Sequence, residues 1–439
     1  MYSQRVKTGR CGGALLQARK KKYVTDRGDS PLRICLMTYR GNPGSGGQGV
    51  YIKYLSGALR DIGHTVDVLS GPPYPDTPEG VKLHKLPGLD LYNPDHLFKP
   101  KNARDLIHPL NMVEFLSMSS GGFPEPFTFG VRARRFLQEK TGRYDVVHDN
   151  QGLFYGLSGI SRSGFPLVAT IHHPITVDRN LELKDANTLL KKIKVNRWYS
   201  FIKMQKKIVG KLPFIITVSE ASRGDIGADF KIPRERFRVV PNGINTDNFY
   251  PLTGVRRSDN LLITTSSADT PLKGLRYLLE AVAEMRKTRD IRLVVIGQPK
   301  KGGDVERLVQ DLSLGGVVRF TGRIADGEFP RYYAEATIAV VPSLYEGFGM
   351  PAGEAMACGV PVVSTTGGAL PEVVGDAGLL VPPGNAGALR DAIVRLLDDS
   401  GLRQKMAEAG LNRVQNALTW RHAAEKTVSV YREAIRADR

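Results

Sequence analysis

The apolar positions of this chain alternate between two spacings. Short blocks rich in Val, Ile and Leu predict buried strands at 33–39, 64–70, 81–87, 144–150, 166–172, 213–219 and 237–243. Between most of them the apolar residues recur three and four apart, as at 48–62 and 189–210, which predicts amphipathic helices. From residue 260 the series begins again, with strands at 260–267, 291–297, 317–322, 338–343, 360–365 and 378–383 and helices at 273–286, 304–312, 328–336, 351–358 and 386–398. Strand and helix in alternation imply parallel sheets covered on both faces, so two series imply two doubly wound α/β domains. The boundary falls at "PNGINTDNFYPLTGVRRSDN" (241–260), where Pro, Gly, Asn and other polar residues cluster. A ligand belongs between the domains, outside the carboxyl ends of the strands.

Composition narrows the class. A length of 439 residues suits two domains of common size. Cys11, Cys35 and Cys358 lie far apart, which excludes a disulfide framework or a zinc spacing and fits a reducing cytosol. The longest apolar runs are strand-length pieces, well short of the roughly 20 residues of a spanning helix. Residues 1–30 read as a basic, mobile tail without the apolar core of a secretion signal.

The net charge of +18 favours anionic partners without choosing among nucleic acid, lipid and phosphorylated substrates. No nucleic-acid module is readable, so that partner is not expected. The stretch 189–212 places eight Lys or Arg among Leu190, Ile193, Phe201, Met204 and Ile208 at helical spacing. Such a helix either lies on an anionic membrane or turns its apolar stripe to the domain core.

Two glycine-rich stretches carry candidate chemistry. Gly44-Ser-Gly46-Gly-Gln-Gly49 follows the first strand and opens the first helix, where free backbone N–H groups and the helix dipole favour an anion. A dinucleotide reading also needs an acid at the end of the second strand. The only candidate, Asp67, lies inside that strand, whose end is Ser70-Gly-Pro-Pro, so the nicotinamide reading is weakened. In "PSLYEGFGMPAGEAMACGVPVVSTTGGALPEVV" (342–374), Glu346 sits in a Gly-rich loop and Glu354 in the first turn of a helix opened by Pro351 and closed by Gly359. Loop amides and helix terminus favour a phosphate, and the two carboxylates can accept hydrogen bonds from sugar hydroxyls on either side of it.

Glu346-Gly-Phe-Gly-Met-Pro-Ala-Gly-Glu354 resembles the Glu-x7-Glu motif of the family-4, group-1 retaining glycosyltransferases of the GT-B superfamily. Gly46-Gly47 with Tyr51, "ATIHHP" (169–174), "TVSE" (217–220), "VPNGIN" (240–245), "PLKG" (271–274) and "GGALPEVV" (367–374) agree with it in order, so the resemblance runs from about residue 32 to the end. It implies an acceptor-side domain at 31–242, a nucleotide-sugar domain at 243–419 and a last helix, 420–439, packing back on the first domain. Gly46 and Gly47 would meet the donor diphosphate together with Lys273. Glu354 would hold the ribose, and Glu346 with the amides of Phe348, Gly349 and Met350 the sugar hydroxyls. Arg323 and Ile324 would receive the base, and His172 would lie under the transferred sugar.

The resemblance further implies a metal-independent transfer of a hexose with no cofactor beyond the donor, a UDP-sugar being favoured over a GDP-sugar. Members are thought to bring the acceptor hydroxyl to the face that the leaving group vacates, so Glu346 is not read as a nucleophile. The acceptor is expected to be lipid-linked or phosphorylated, with the enzyme cytoplasmic and peripheral on the inner membrane face through 189–212. A nucleotide-sugar epimerase on the same fold, or a non-catalytic subunit, are the alternatives. Two positions depart from the pattern. Ser267 and Ala268 stand where many relatives carry a diphosphate-clamping Arg, and Asn150 where they often carry a second His after "DVVH".

Overall fold

Seven strands of the first half form one sheet: β1 (Arg33–Thr38), β2 (Thr65–Ser70), β3 (Lys82–Lys85), β4 (Val146–Asn150), β5 (Leu167–Ile171), β6 (Ile215–Thr217) and β7 (Phe237–Val239). Six strands of the second half form another: β8 (Leu261–Thr265), β9 (Arg292–Ile296), β10 (Val318–Phe320), β11 (Ile338–Val341), β12 (Val362–Thr365) and β13 (Gly378–Val381). The computed structural model describes residues 30–42, 47–184, 186–266 and 270–438. The basic segment 1–29, Gly46, Ser267 and Ala268 therefore lie outside the described residues.

The sheet orders are β3-β2-β1-β4-β5-β6-β7 and β10-β9-β8-β11-β12-β13. All the strand pairings that join them are parallel. Strand order reverses between β1 and β4 in one sheet and between β8 and β11 in the other, and those two gaps are where loops on opposite sides part to leave a crevice.

The helices of the first half are α1 (Gly47–Asp61), α2 (Pro109–Ser119), α3 (Glu125–Gln138), α4 (Gly156–Arg162), α5 (Thr176–Lys184), α6 (Leu189–Trp198), α7 (Ile202–Val209) and α8 (Glu220–Phe230). The second half adds α9 (Leu275–Met285), α10 (Asp304–Asp311), α11 (Phe329–Glu335), α12 (Met350–Ala357), α13 (Leu370–Val374), α14 (Ala386–Asp398), α15 (Ser400–Ala417) and α16 (Trp420–Ala437). Both faces of each sheet are covered, which explains why the strands read as continuous apolar runs rather than alternating ones. Helices α3, α4, α7 and α8 pack on one face of the first sheet, and α1 with α16 on the other. In the second half α12 and α15 cover one face and α9 and α14 the other.

One predicted helix is two. The stretch 189–210 breaks at a 3-10 turn, Tyr199–Phe201, because its aromatics are held in different places. Trp198 and Phe201 pack on Phe123 at ring distances of 5.3 and 5.2 Å, while Tyr199 donates its hydroxyl to Glu182 Oε1 at 2.7 Å. The two readings of this stretch divide at the break. In α7, Ile202, Met204 and Ile208 are core residues, whereas Leu189, Leu190 and Ile193 of α6 are 75%, 64% and 55% exposed.

Candidate active site

The second half supplies a compact group at its own strand-order reversal. Lys273 closes a 3-10 turn after β8, and Glu346 lies in the loop after β11. Lys273 Nζ donates to Glu346 Oε1 at 2.7 Å, and Ser343 Oγ donates to the same oxygen at 2.8 Å. Gly274 makes this approach possible: its φ is +65°, and a Cβ there would stand 2.0 Å from the carbonyl oxygen of Pro342. The loop is fixed from the other side by Ala369 N–H, which donates to Glu346 O at 2.8 Å.

Phe348 is buried, and Gly349, at φ +105°, caps the N-terminus of α12, so that Met350 and the following amides open the helix. Glu354 sits on that helix, where burial pushes its carboxyl up to about 7, with the charge of Asp326 adding. Asp326 belongs to the loop that follows β10 and carries Arg323 and Ile324. That loop therefore lies beside Glu354. Ile324 packs on the core beneath, and Arg323 is exposed.

The first half faces this group with His172, immediately after β5. Its Nε2 meets Asn150 Oδ1 at 2.8 Å, and Asn150 Nδ2 in turn donates to Gln48 O at 3.3 Å. The second bond fixes the amide orientation: the oxygen faces the imidazole, so Nε2 carries the proton and Nδ1 is left as an acceptor. Burial, with His173 adding, pushes the imidazole down to about 3, so the ring is neutral at physiological pH. Tyr51 braces the ring edge-on at 4.6 Å. Behind it, Tyr51 Oη, Thr170 Oγ1, His148 and Tyr431 form a buried hydrogen-bonded chain that ends on α16. Gly47 is the first residue of α1, one position before Gln48.

The halves touch at the site itself. Ser222 Oγ lies 3.2 Å from His172 O and 3.1 Å from Gly347 O, and Ser219 Oγ donates to Gly347 O at 2.8 Å. Glu372 of α13 accepts from the N–H groups of Glu220 and Ala221, at 2.7 and 2.9 Å, and so caps α8 across the divide. The structure thus links Gly47, His172, Gly347, Glu346 and Lys273 through successive contacts, and places Glu354 with the Arg323–Asp326 loop at the far end of α12's first turns. Sequence reasoning gave no role to Ser343, Ser219, Ser222 or Glu372, although Ser343, Ser219 and Glu372 stand inside stretches it singled out and Ser222 two residues beyond one. Asn150, read there as a departure, is the group that orients His172.

Comparison with known proteins places this arrangement. Residues 45–248 match the model "Glycosyltransferase Family 4" and residues 259–399 the model "Glycosyl transferases group 1". An MMP alpha-(1->4)-mannosyltransferase of Mycolicibacterium hassiacum is 42% identical over 408 residues, covering 92% of this chain and 98% of that protein. The chain belongs to the group-1, family-4 glycosyltransferases. A second member of the family, D-inositol 3-phosphate glycosyltransferase of Pseudarthrobacter chlorophenolicus, is 28% identical, covering 92% of this chain and 94% of that one. The GT-B fold expected of such a glycosyltransferase is also that of sucrose-phosphate synthase from Thermosynechococcus elongatus (TM-score 0.69, 24% identity, 92% of this chain and 100% of that chain). The family resemblance and the two-domain α/β architecture read from the sequence are both borne out. In this glycosyltransferase no helix among the described residues is long and apolar enough to cross a membrane.

Proposed function

We propose that this glycosyltransferase moves a hexose from a UDP- or GDP-sugar to a hydroxyl acceptor, with retention at the anomeric carbon and without a metal ion. The observation that carries the reading is the Lys273–Glu346 pair at 2.7 Å, set beside the N-terminus of α12. A cation and a row of free amides, fixed before the reaction, suit a leaving group whose negative charge grows as its bond to the sugar breaks. Glu346 and Glu354 are the acceptors for sugar and ribose hydroxyls. The name of the 42% identical relative supports mannose as the sugar and an α-(1→4) bond as the product.

In the transfer, the bond between the anomeric carbon and the diphosphate oxygen breaks and a bond to the acceptor oxygen forms on the same face. The acceptor proton passes to a phosphate oxygen of the departing nucleoside diphosphate. His172, neutral and with Nδ1 unprotonated, lines the sugar's position as a hydrogen-bond acceptor rather than as a cation. The exposed Leu189, Leu190 and Ile193 among Lys191, Lys192 and Lys194 support contact with an anionic membrane surface on the cytoplasmic side.

Thermal unfolding with UDP, GDP, ADP, NAD and their sugar derivatives, with and without EDTA, tests the reading. A ligand that binds the folded state raises the midpoint by mass action. A shift with UDP or GDP that survives EDTA and is lost in Glu354→Ala is expected, and it identifies the base. A shift with NAD alone, or one abolished by EDTA, refutes the proposal. Sugar interconversion without transfer would move it to the epimerase class.

A further inference from the structure

Directly beneath His172 one face of the first sheet turns from apolar to polar. Alternate residues of a strand share a face, so Val146, His148 and Asn150 of β4 lie in one row and Val168 and Thr170 of β5 in the next, with His172 continuing it. The rows cross-link in two rungs. Asn150 Oδ1 meets His172 Nε2 at 2.8 Å, and below it His148 Nε2 meets Thr170 Oγ1 at 2.7 Å. The lower rung is wholly buried and is held by two tyrosines: Tyr51 of α1, whose hydroxyl lies 3.2 Å from Thr170 Oγ1, and Tyr431 of α16, whose hydroxyl lies 2.6 Å from His148 Nδ1. A neutral imidazole has one N–H and one lone pair, so His148 serves both neighbours. Burial, with His172 adding, keeps it neutral by pushing it down to about 3.

Docking α16 does not require this chain of polar groups. The same face is otherwise covered by apolar side chains, with Val146, Val168 and Ile216 clustered with Ala424, Val428 and Ala434. Burying two hydroxyl pairs and an imidazole gains little stability even when all are bonded, but it fixes a geometry that apolar packing leaves loose. What it fixes here is Tyr51. The Tyr51 hydroxyl is tied to Thr170, and its ring packs at 5.7 Å on Trp420, the first residue of α16, which is itself stacked on Tyr54 at 5.6 Å. Tyr51 in turn stands against the imidazole of His172 at 4.6 Å and 79°. The bond to Asn150 sets which edge of that imidazole meets the amide, yet a ring held at one atom can still tilt. A second ring standing across it takes the tilt away.

We propose that Tyr51 is a positioning residue that aims Nδ1 of His172 into the cleft, and that α16 holds it there through Trp420 and the Tyr431–His148–Thr170 chain. The last helix then sets the geometry of the reaction centre as well as covering the first sheet. The proposal rests on the reading that His172 lies at the transferred sugar, and it adds the means by which that side chain is aimed.

The test compares Tyr51→Leu, Tyr51→Phe and Tyr431→Phe, each alone and combined with His172→Ala. One readout is the ring-nitrogen NMR spectrum of protein labelled with nitrogen-15 histidine at neutral pH, in which the His172 signals are those missing from His172→Ala. The other is turnover, read as nucleoside diphosphate released from UDP-glucose and GDP-mannose with water and methyl α-mannoside as acceptors. Wild type is expected to show His172 as one tautomer, with the proton on Nε2. In Tyr51→Leu the two ring-nitrogen signals are expected to move toward each other as the ring turns, and kcat to fall about tenfold, the cost of misplacing a group rather than removing it. The donor KM and the midpoint shift with nucleoside diphosphate should be retained, which shows that the variant folds. Tyr51→Phe, which keeps the ring, and Tyr431→Phe are each expected to lose about threefold in kcat, the scale of one neutral hydrogen bond. Because these residues act through His172, each should cost nothing further in the His172→Ala background, whereas independent contributions would multiply. Unmoved His172 signals in Tyr51→Leu overturn the proposal, as do losses that multiply with that of His172→Ala, or a Tyr431→Phe that lowers the unfolding midpoint and leaves kcat unchanged. If Tyr51→Leu does not fold, the two Phe variants decide by the same product rule. Unchanged turnover in His172→Ala instead overturns the reading of His172, and the proposal with it.

Discussion

The two lobes of this glycosyltransferase assemble their groups by different means. In the second lobe, Ser343, Glu346, the amides at 347–350 and Glu354 come from one continuous stretch, and much of what it presents is backbone. In the first lobe, Gln48, Asn150 and His172 come from three separated segments and are joined by side-chain contacts across neighbouring strand ends. A glycine-rich loop feeding a helix has one geometry to offer and so suits a group that does not vary, such as a nucleoside diphosphate. Side chains gathered from separate segments can be exchanged one at a time, which suits an acceptor that differs from one relative to another.

This division can be broken from either side. The largest effect is expected at His172. His172→Ala should lower kcat about 100-fold, the scale of losing one positioned group at the transition state, while the midpoint shift with nucleoside diphosphate persists. Equal loss of turnover and nucleotide binding would erase the division of labour between the lobes. Next comes Glu354→Gln, expected to weaken nucleoside diphosphate binding about tenfold with the acceptor KM little changed.

Glu354 also gives that binding a pH signature. Burial pushes its carboxyl up to about 7, and on the proposed reading the ionised form accepts ribose hydroxyls, so affinity should be full above pH 7 and fall as pH drops below it. Calorimetric titration from pH 8 to 6 should show this slope in wild type and a flat line in Glu354→Gln.

Asn150→Asp offers a sharper and smaller probe. A carboxylate beside the imidazole should lift it from about 3 toward its ordinary range, because opposite charge favours the protonated ring. The kcat–pH profile should then gain an acid limb absent from wild type, with a loss of only a few-fold at pH 8. The smallest change expected is in stability alone: Glu372→Ala removes one of the two groups that cap α8, Ser219 Oγ remaining on Ser222 N–H, and should cost about 1 kcal/mol, read as a lower midpoint in the absence of ligand.

The same contrast explains what could be read before the structure. All thirteen strands were legible, the central ones because strands buried on both faces leave an apolar block whatever surrounds them, and the edge strand β3, half-buried with Lys82, His84 and Lys85, only through the apolar residues that flank it. The Lys273–Glu346–Glu354 stretch was legible because its groups are neighbours in sequence or sit in short glycine-marked motifs. The Gln48–Asn150 contact was not, since nothing in the sequence says that the start of the first helix meets the end of the fourth strand. The break at Tyr199–Phe201 was hidden for a related reason: the local pattern favours one helix, and contacts with Phe123 and Glu182 override it. Asn150 shows the limit of reading by departure from a pattern, since a residue flagged as an exception is the one whose amide fixes a proton on His172.

The chain passes between the lobes twice, at 240–244 and again at 418–420, and the two passages are fastened to each other. Ile244 N–H donates to Leu418 O at 2.7 Å, and Ile244 forms a bridge with Thr419. Gly243 lies so close to Trp420 that a Cβ would come within 2.2 Å of its backbone nitrogen. One strand of chain would act as a tether and leave the lobes free to twist, tilt and slide. Two strands pinned together make a double joint that resists twist and slide, so the Glu346 loop is held in one registry against His172 by the joint as well as by the contacts at the site.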